Sequence, residues 1–274
     1  MGQKRGLVDI LRQGGLKVRE AFDIAGIKRS TYYYNSRSDD KVLLKEIRDI
    51  AYKYPFYGYR RVWIVLRQKG YKINHKKVYR LYHLMSLQKP YSRKGNKSWL
   101  SSKGEIKLTE PDYSNHVWGM DFCFTHLEDG RLVKIFTIED GYSRKGLWVS
   151  YGYSITSKGV EEAIEQVIKD FGSPRVIRSD NGSEFRSKGL KRFFIKERIQ
   201  HEFIPKGKPW NNGKAERFIG SLKRECLNML EAKNLKELSG VIDEYMEFYN
   251  KERPHQALGY RTPEEIYEDK NRSI

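Results

Sequence analysis

Between residues 116 and 230 the chain changes hydrophobic period several times, and the order of those changes limits the fold to few choices. HVWGMDFCFTHL (116–127) and LVKIFTIEDGY (132–142) read as strands joined by a hairpin turn at Glu128–Gly130. LWVSYGYS (147–154) is a third strand. SKGVEEAIEQVIKDFG (157–172) has a helical period, with Ser157 as expected cap and Gly172 as stop. RVIRSD (175–180) is a short buried strand, KGLKRFFIKERI (188–199) a helix, HEFIP (201–205) a strand and 213–230 a long helix. Three strands, then helix, strand, helix, strand and helix, is the order of an α/β fold. A right-handed crossover from the third strand can return the fourth beside the first, in parallel.

Three carboxylates fall at telling places in that order. Asp121 lies inside the apolar run VWGMDFCF (117–124), Asp180 ends RVIRSD, and Glu216 lies in the helical stretch NNGKAERFIGSLKRE (211–225). The parallel crossover would set Asp180 beside Asp121 at one end of the sheet. Ala215, Phe218, Ile219, Leu222 and Cys226 form one apolar stripe, and Glu216 borders it, so it can face a cleft beside the sheet. Lys223 follows seven residues later on the same face and is placed to touch phosphate. Three gathered carboxylates repel one another unless a divalent cation neutralises them. Hard ions such as Mg²⁺ take oxygen ligands, and two of them can clamp the attacking and leaving oxygens of a phosphoryl displacement. The chemistry expected is that of a nuclease or strand-transfer enzyme. Glu139, Asp140 and Glu184 could each be a stray metal ligand, but Asp140 reads better as a turn residue before Gly141, Glu139 sits with it at the end of the second strand, and Glu184 reads as a helix or loop neighbour. His116, His126, His201 and His255 share no metal-ligand spacing, and His255 reads equally as structural or DNA-facing.

Charge points to the substrate. Lys and Arg number 53 against 35 Asp and Glu, a net charge of +18, with the basic residues spread along the chain. Such a field favours polyanions. A membrane surface is the competing partner, but no stretch approaches the roughly 20 apolar residues of a spanning helix. The start MGQKRGLVDILRQGG has neither the apolar core of a signal peptide nor the Ser or Thr at position 6 that myristoylation needs. Cys123 and Cys226 lie far apart in apolar segments, where they read as core residues of a reduced, cytoplasmic protein and cannot build a zinc site.

Ahead of the α/β stretch the chain reads as small all-α modules. In residues 1–38, RGLVDILRQ (5–13) and KVREAFDIAG (17–26) are helices and Gly26 punctuates; KRSTYYYNSR (28–37) follows, the layout of a helix-turn-helix. Its last helix would carry Lys28 and Arg29 to DNA. Residues 39–88 hold KVLLKEIRDIAYKY (41–54), YRRVWIVLRQKG (59–70) and HKKVYRLYHLMS (75–86), the last with Asn74 as N-cap. Arg60, Arg61, Lys76, Lys77 and Arg80 are either phosphate contacts or a solvated face. Residues 89–113 are a basic linker without period, in which Arg93 and Lys94 could track a DNA backbone. Residues 114–230 form the core, and 231–274 a helical extension in which Thr262 and Pro263 open a last helix.

The three acids, the interval of 35 residues between Asp180 and Glu216, and Lys223 resemble the D-D-E catalytic core of integrases. YPFYGYRRVWIVL (54–66), PKGKPWNNGKAERFIGSLKRE (205–225) and YNKERPHQALGYRTPEE (249–265) are similar to motifs of bacterial insertion-sequence transposases of the IS-three family, in the product of the second reading frame. The likeness runs from about residue 5 to 268. One departure is Cys123, where the family usually has Thr two residues after the first Asp. The resemblance implies a ribonuclease-H-like core behind helix-turn-helix modules, acting on double-stranded DNA. It implies 3′-end cleavage and strand transfer with Mg²⁺ or Mn²⁺, two ions held by Asp121, Asp180 and Glu216, and DNA positioned by Asn181, Lys214 and Lys223. It also implies a bacterial cytoplasmic protein, nucleoid-associated on DNA, and at least a dimer there, since two DNA sites must be joined. The alternatives are a DNA-binding regulator, a partial transposase needing an upstream fusion partner, or a hydrolytic nuclease of the same fold. If six or more phosphates are contacted, affinity for duplex DNA should fall on the order of 10³-fold between 50 and 200 mM salt. Fluorescence anisotropy across that range checks this, and a flat response would remove the electrostatic basis of the reading.

Overall fold

The computed structural model describes residues 2–33, 40–88, 108–204, 213–229 and 232–269. They divide into two compact units, Met1–Lys53 and Tyr54–Ile274. The module expected over residues 39–88 therefore has helices on both sides of that division.

In the first unit, α1 (Gly2–Gln13), α2 (Val18–Ala25) and the single turn α3 (Arg29–Tyr32) enclose Val8, Ala21, Phe22, Ala25 and Ile27. Gly26 ends α2 at φ 58°, a left-handed conformation that suits glycine, and turns the chain into α3. α3 ends at Tyr32 rather than running to residue 37 as the sequence predicts; residues 34–39 lie outside the described set. The rings of Phe22, Tyr32 and Tyr33 pack within 4.9–6.2 Å of one another and close the small core. α4 (Asp40–Lys53) completes the unit.

The second unit is built on a five-stranded sheet of order β3-β2-β1-β4-β5. β1 (Val117–His126), β2 (Leu132–Asp140) and β3 (Gly146–Gly152) form an antiparallel meander. The expected hairpin turn is present, with Gly130 at φ 82°. β4 (Val176–Ser179) and β5 (Gln200–Phe203) add in parallel to β1. Because side chains alternate along a strand, β1 feeds two cores. Trp118 and Met120 pack with Phe136, Ile138 and Ile177 beneath α7 (Ser157–Phe171) and α8 (Lys188–Lys196). Cys123 packs with Val133 and Ile135 beneath α9 (Gly213–Glu225) and α10 (Leu235–Lys251). Thr156, not Ser157, caps α7, accepting from the Gly159 N–H at 3.4 Å. Thr156 has the extended backbone that a cap requires and Ser157 is already helical. The capping box of Thr262 and Glu265 opens α11 (Pro263–Glu268), and the Tyr267 hydroxyl donates to Asn115 Oδ1, tying the C-terminal segment to the start of β1.

α5 (Tyr59–Gln68) and α6 (His75–Leu84) belong to this unit, and the segment just before α5 packs on α10. Asn74 caps α6 as expected, accepting from the Lys76 N–H at 2.8 Å. Tyr54 stacks on Phe248 with centroids 5.3 Å apart, and Phe56 meets the same ring at 5.9 Å. Beside this aromatic contact lies a buried ion pair. Arg253 Nε and Nη2 donate to the two Glu225 oxygens at 2.6 and 2.7 Å, and Tyr245 Oη donates to Glu225 at 3.4 Å. Arg61 reaches the same carboxylate at 3.5 Å. One carboxylate at the end of α9 thus joins α5, α10 and the segment after it. Removing one partner of such a pair leaves an uncompensated buried charge. Arg253→Met should destabilise the second unit by about 3–5 kcal/mol, and Arg253→Met/Glu225→Leu by clearly less. Urea unfolding of the two variants gives the comparison, and equal losses would mean that the pair is not coupled.

Candidate active site

The parallel pairing of β1 with β4 sets the geometry. Val117, Trp118 and Gly119 stand level with Val176, Ile177 and Arg178. Two residues further along both strands are Asp121 and Asp180, so the register carries the two carboxylates to the same level at the end of β4. Asp121 is half-buried, and its Oδ1 accepts from the Phe122 N–H at 2.7 Å. Asp180 is exposed in the turn after β4, its Oδ1 accepting from the Gly182 N–H at 2.9 Å. That turn is held from below by Phe185, which stacks on Phe122 at 5.0 Å, and from the side by the Lys134–Glu184 ion pair. Glu184, an alternative ligand by sequence, is thereby engaged; Lys134, Ser183 and its own backbone hold its carboxyl at about 2.

Glu216 projects from the first turn of α9 and is exposed. α9 lies close to β1 there: a Cβ built on Gly119 would stand 3.6 Å from the Ala215 Cβ. All three acids thus border the same region of β1. Among the described residues, no three His, Cys, Asp or Glu side chains are gathered tightly enough to hold a metal ion as they stand. Their donor chemistry fits Mg²⁺ or Mn²⁺, since all three offer hard carboxylate oxygens.

The cations predicted to touch DNA separate into two sets. Lys28 precedes α3 and Arg29 lies on it; both line a groove of about 590 Å³ with Val18, Arg19 and Phe22. Arg60, Lys76 and Arg80 are exposed and Lys77 is half-exposed. Lys223, on α9, is near enough to Cys123 to oppose the effect of burial, which still pushes that thiol up to about 11. Arg61, Asn181 and Lys214 instead turn onto the protein. Arg61 lies over the Tyr57 ring at 5.4 Å and beside Glu225. Asn181 Nδ2 donates to the Ile204 carbonyl at 2.7 Å, and Lys214 Nζ to the Gly141 carbonyl at 3.1 Å. Arg93 and Lys94 lie outside the described residues.

Asp140 is fully buried and organises the turn after β2, accepting from the N–H groups of Asn115, Ser143 and Tyr142. His255 is structural: it sits on Arg253 and edge-on to Tyr249, and burial with the Arg253 charge lowers it to about 3. Sequence reasoning missed Arg253. The only signal was its place in the RPHQALGY stretch, which says nothing of the distant Glu225 that it meets.

Known proteins agree with this fold and charge. The integrase core domain family matches residues 111–209 and again 197–263, and an HTH-like domain matches residues 37–95. A 31.7 kDa protein of insertion element IS407 from Burkholderia multivorans is 30% identical over 90% of this chain and 89% of its own length. The putative transposase InsK of insertion sequence element IS150 from Escherichia coli is 29% identical over 89% of this chain and 91% of its own. A chain of the simian T-cell lymphotropic virus intasome shares the fold, with TM-score 0.53 at 16% identity, covering 83% of this chain and 76% of that one. The chain belongs to the insertion-element transposases, with an integrase core of ribonuclease-H-like fold behind a helical HTH-like segment. No helix among the described residues is long and apolar enough to cross a membrane.

Gly182 tests the placement of Asp180. A Cβ there would stand 3.0 Å from Asp180 Oδ1 and 3.4 Å from Phe185. Gly182→Ala should shift the carboxylate by a few tenths of an ångström and slow cleavage of element-end DNA on the order of tenfold. Its melting temperature should stay near that of the parent. Undiminished cleavage would show that the position of Asp180 is not critical.

Proposed function

We propose that this transposase binds the terminal repeats of its element, cleaves a 3′ end and joins the freed 3′-OH to new DNA, using Asp121, Asp180 and Glu216. The observation that carries this is the β1–β4 register, which brings two acids distant in sequence level with each other at the open end of the sheet. Asp121, Asp180 and Glu216 would hold Mg²⁺ or Mn²⁺ through their carboxylate oxygens, two ions being the expected number. Bound there, the ions would lower the pKa of the attacking hydroxyl and neutralise charge on the leaving 3′ oxygen.

The chain's own groups supply binding and orientation. Lys223, on the face of α9 towards Cys123, is placed to hold a phosphate beside the acids. Lys28 and Arg29 in the first unit, and Arg60, Lys76, Lys77 and Arg80 on α5 and α6, would take the duplex by its backbone. Their charge makes encounter with DNA fast and sensitive to salt. Arg61 holds the docked helix pair instead, and Asn181 holds the turn of Asp180. One chain provides one set of acids, whereas joining requires two DNA sites, so at least two chains act together on DNA. Net charge of +18 opposes their association until DNA neutralises it.

A labelled 3′-OH end with Mg²⁺ separates the readings. Joined product marks a transposase, cleaved product alone a nuclease, and bound but unaltered DNA a regulator. Asp121→Asn, Asp180→Asn and Glu216→Gln should each lower cleavage and joining at least about 10³-fold while DNA affinity changes less than about threefold. Ca²⁺ should support binding without turnover, because its longer, looser coordination does not reproduce that of Mg²⁺. Full activity in any single variant would remove that residue from the ligand set.

A further inference from the structure

Glu139, near the end of β2, is 1% exposed, and neither of its carboxylate oxygens has a hydrogen-bond partner among the described residues. An orphaned buried carboxylate is costly and calls for a reason. Its orientation follows from strand alternation: the β1–β2 register is unbroken, so Glu139 faces the same way as Val133 and Ile135, towards α9. Glu139 pairs with Gly119 of β1. A Cβ on Gly119 would stand 3.6 Å from Glu139 Oε1 and 3.6 Å from the Ala215 Cβ. Because residue 119 has no side chain, the carboxylate lies directly below the first turn of α9.

A cavity of about 20 Å³ remains between them, bordered by Glu139, Gly119, Gly141, Arg178, Lys214 and Ala215. This is room for one water and no more. A metal ion does not suit it, because Lys214 and Arg178 border it. Lys214 Nζ spends one hydrogen on the Gly141 carbonyl and has two left. Burial pushes Glu139 up to about 8, against the pull of Arg144 and Lys214, so the group has not been satisfied by its cations alone. Arg144 Nη1 is likewise buried without a partner among the described residues. Water held here can accept from Lys214 and meet Glu139.

We infer that Glu139 is a positioning residue for Glu216, linked to Lys214 by one enclosed water so that the first turn of α9 is fixed against β1. The inference rests on the proposed role of Glu216. Lys214 lies two residues before Glu216 in that turn, so the link constrains the backbone from which Glu216 projects. Glu139 itself touches neither substrate nor ion.

The test is Mn²⁺ binding to the full chain without DNA, followed by calorimetry, beside the melting temperature. Asp180→Asn is the control. If it binds Mn²⁺ as the parent does, the assignment of the acids fails, independently of Glu139. Where the control loses affinity, Glu139→Leu should weaken Mn²⁺ binding by about tenfold, as loss of an outer partner of a metal ligand does. Its melting temperature should hold or rise, since an apolar side chain replaces a buried polar group that lacks a protein partner. Glu139→Gln keeps a contact for the water and should stay within about threefold of the parent. Lys214→Met, which also loses the bond to the Gly141 carbonyl, should lose at least as much as Glu139→Leu, and the double variant no more than Lys214→Met, because the shared link is already broken. Parental Mn²⁺ affinity in Glu139→Leu, or additive losses in the double variant, overturns the inference. If Glu139→Leu does not fold, Lys214→Met alone and with Glu139→Gln decides: parental affinity in Lys214→Met rejects the link, and a loss that Glu139→Gln does not deepen supports it.

Discussion

The parallel pairing of β1 with β4 is the contact on which the rest of the second unit depends. A parallel pair needs a crossover, and here β2, β3 and α7 supply it. The crossover covers one face of β1 with α7 and leaves the other to α9 and α10. Burial on both faces explains why β1 reads as a nearly continuous apolar run rather than a strict alternation. It also explains how Asp121 can sit in such a run: it lies on the α9 face, just beyond Gly119, where the helix passes closest and the apolar cover thins.

α9 is held at both ends by charge. Its C-terminal Glu225 is taken up by Arg253, with Tyr245 and Arg61 in support. Its first turn lies over Glu139 and sends Lys214 to the Gly141 carbonyl. Between these anchors the stripe of Ala215, Phe218, Ile219 and Leu222 is buried against the sheet. In the proposed function α9 carries Glu216, and such double fixation would serve that role because small displacements are expensive in rate. The Glu225 carboxylate also joins α9 to α5, so the helix pair that offers Arg60, Lys76 and Arg80 is packed onto the helix that offers Glu216. In the proposed function, binding and chemistry are therefore mechanically adjacent within one unit.

Gly146 shows how close that packing is. Its backbone N–H and carbonyl are both satisfied by the Asn250 side chain, each at 2.9 Å. A Cβ there would stand 2.6 Å from Met246 and 3.0 Å from Phe218. The edge of β3 is therefore sealed by α10, and the C-terminal helices are part of the core's closure.

The sequence by itself determined the element order, the two-sided burial of β1 and the neighbourhood of Asp121 and Asp180, because strand and helix periods are local and the crossover rule is chiral. It also marked Gly26 and Asn74, whose turn and cap depend on a few adjacent residues. Tertiary structure alone decided what the charged residues do. Arg60 and Arg61 are adjacent and alike in sequence, yet successive positions on a helix point about 100° apart. One is exposed, and the other covers Glu225. Glu139 and Asp140 are both buried acids at the end of one strand. Asp140 is saturated by backbone N–H groups, while alternation along β2 turns Glu139 to the other face and towards a cavity. Charge identity is written in the chain, but the partner that neutralises a charge lies tens to hundreds of residues away, and only the folded packing brings the two together.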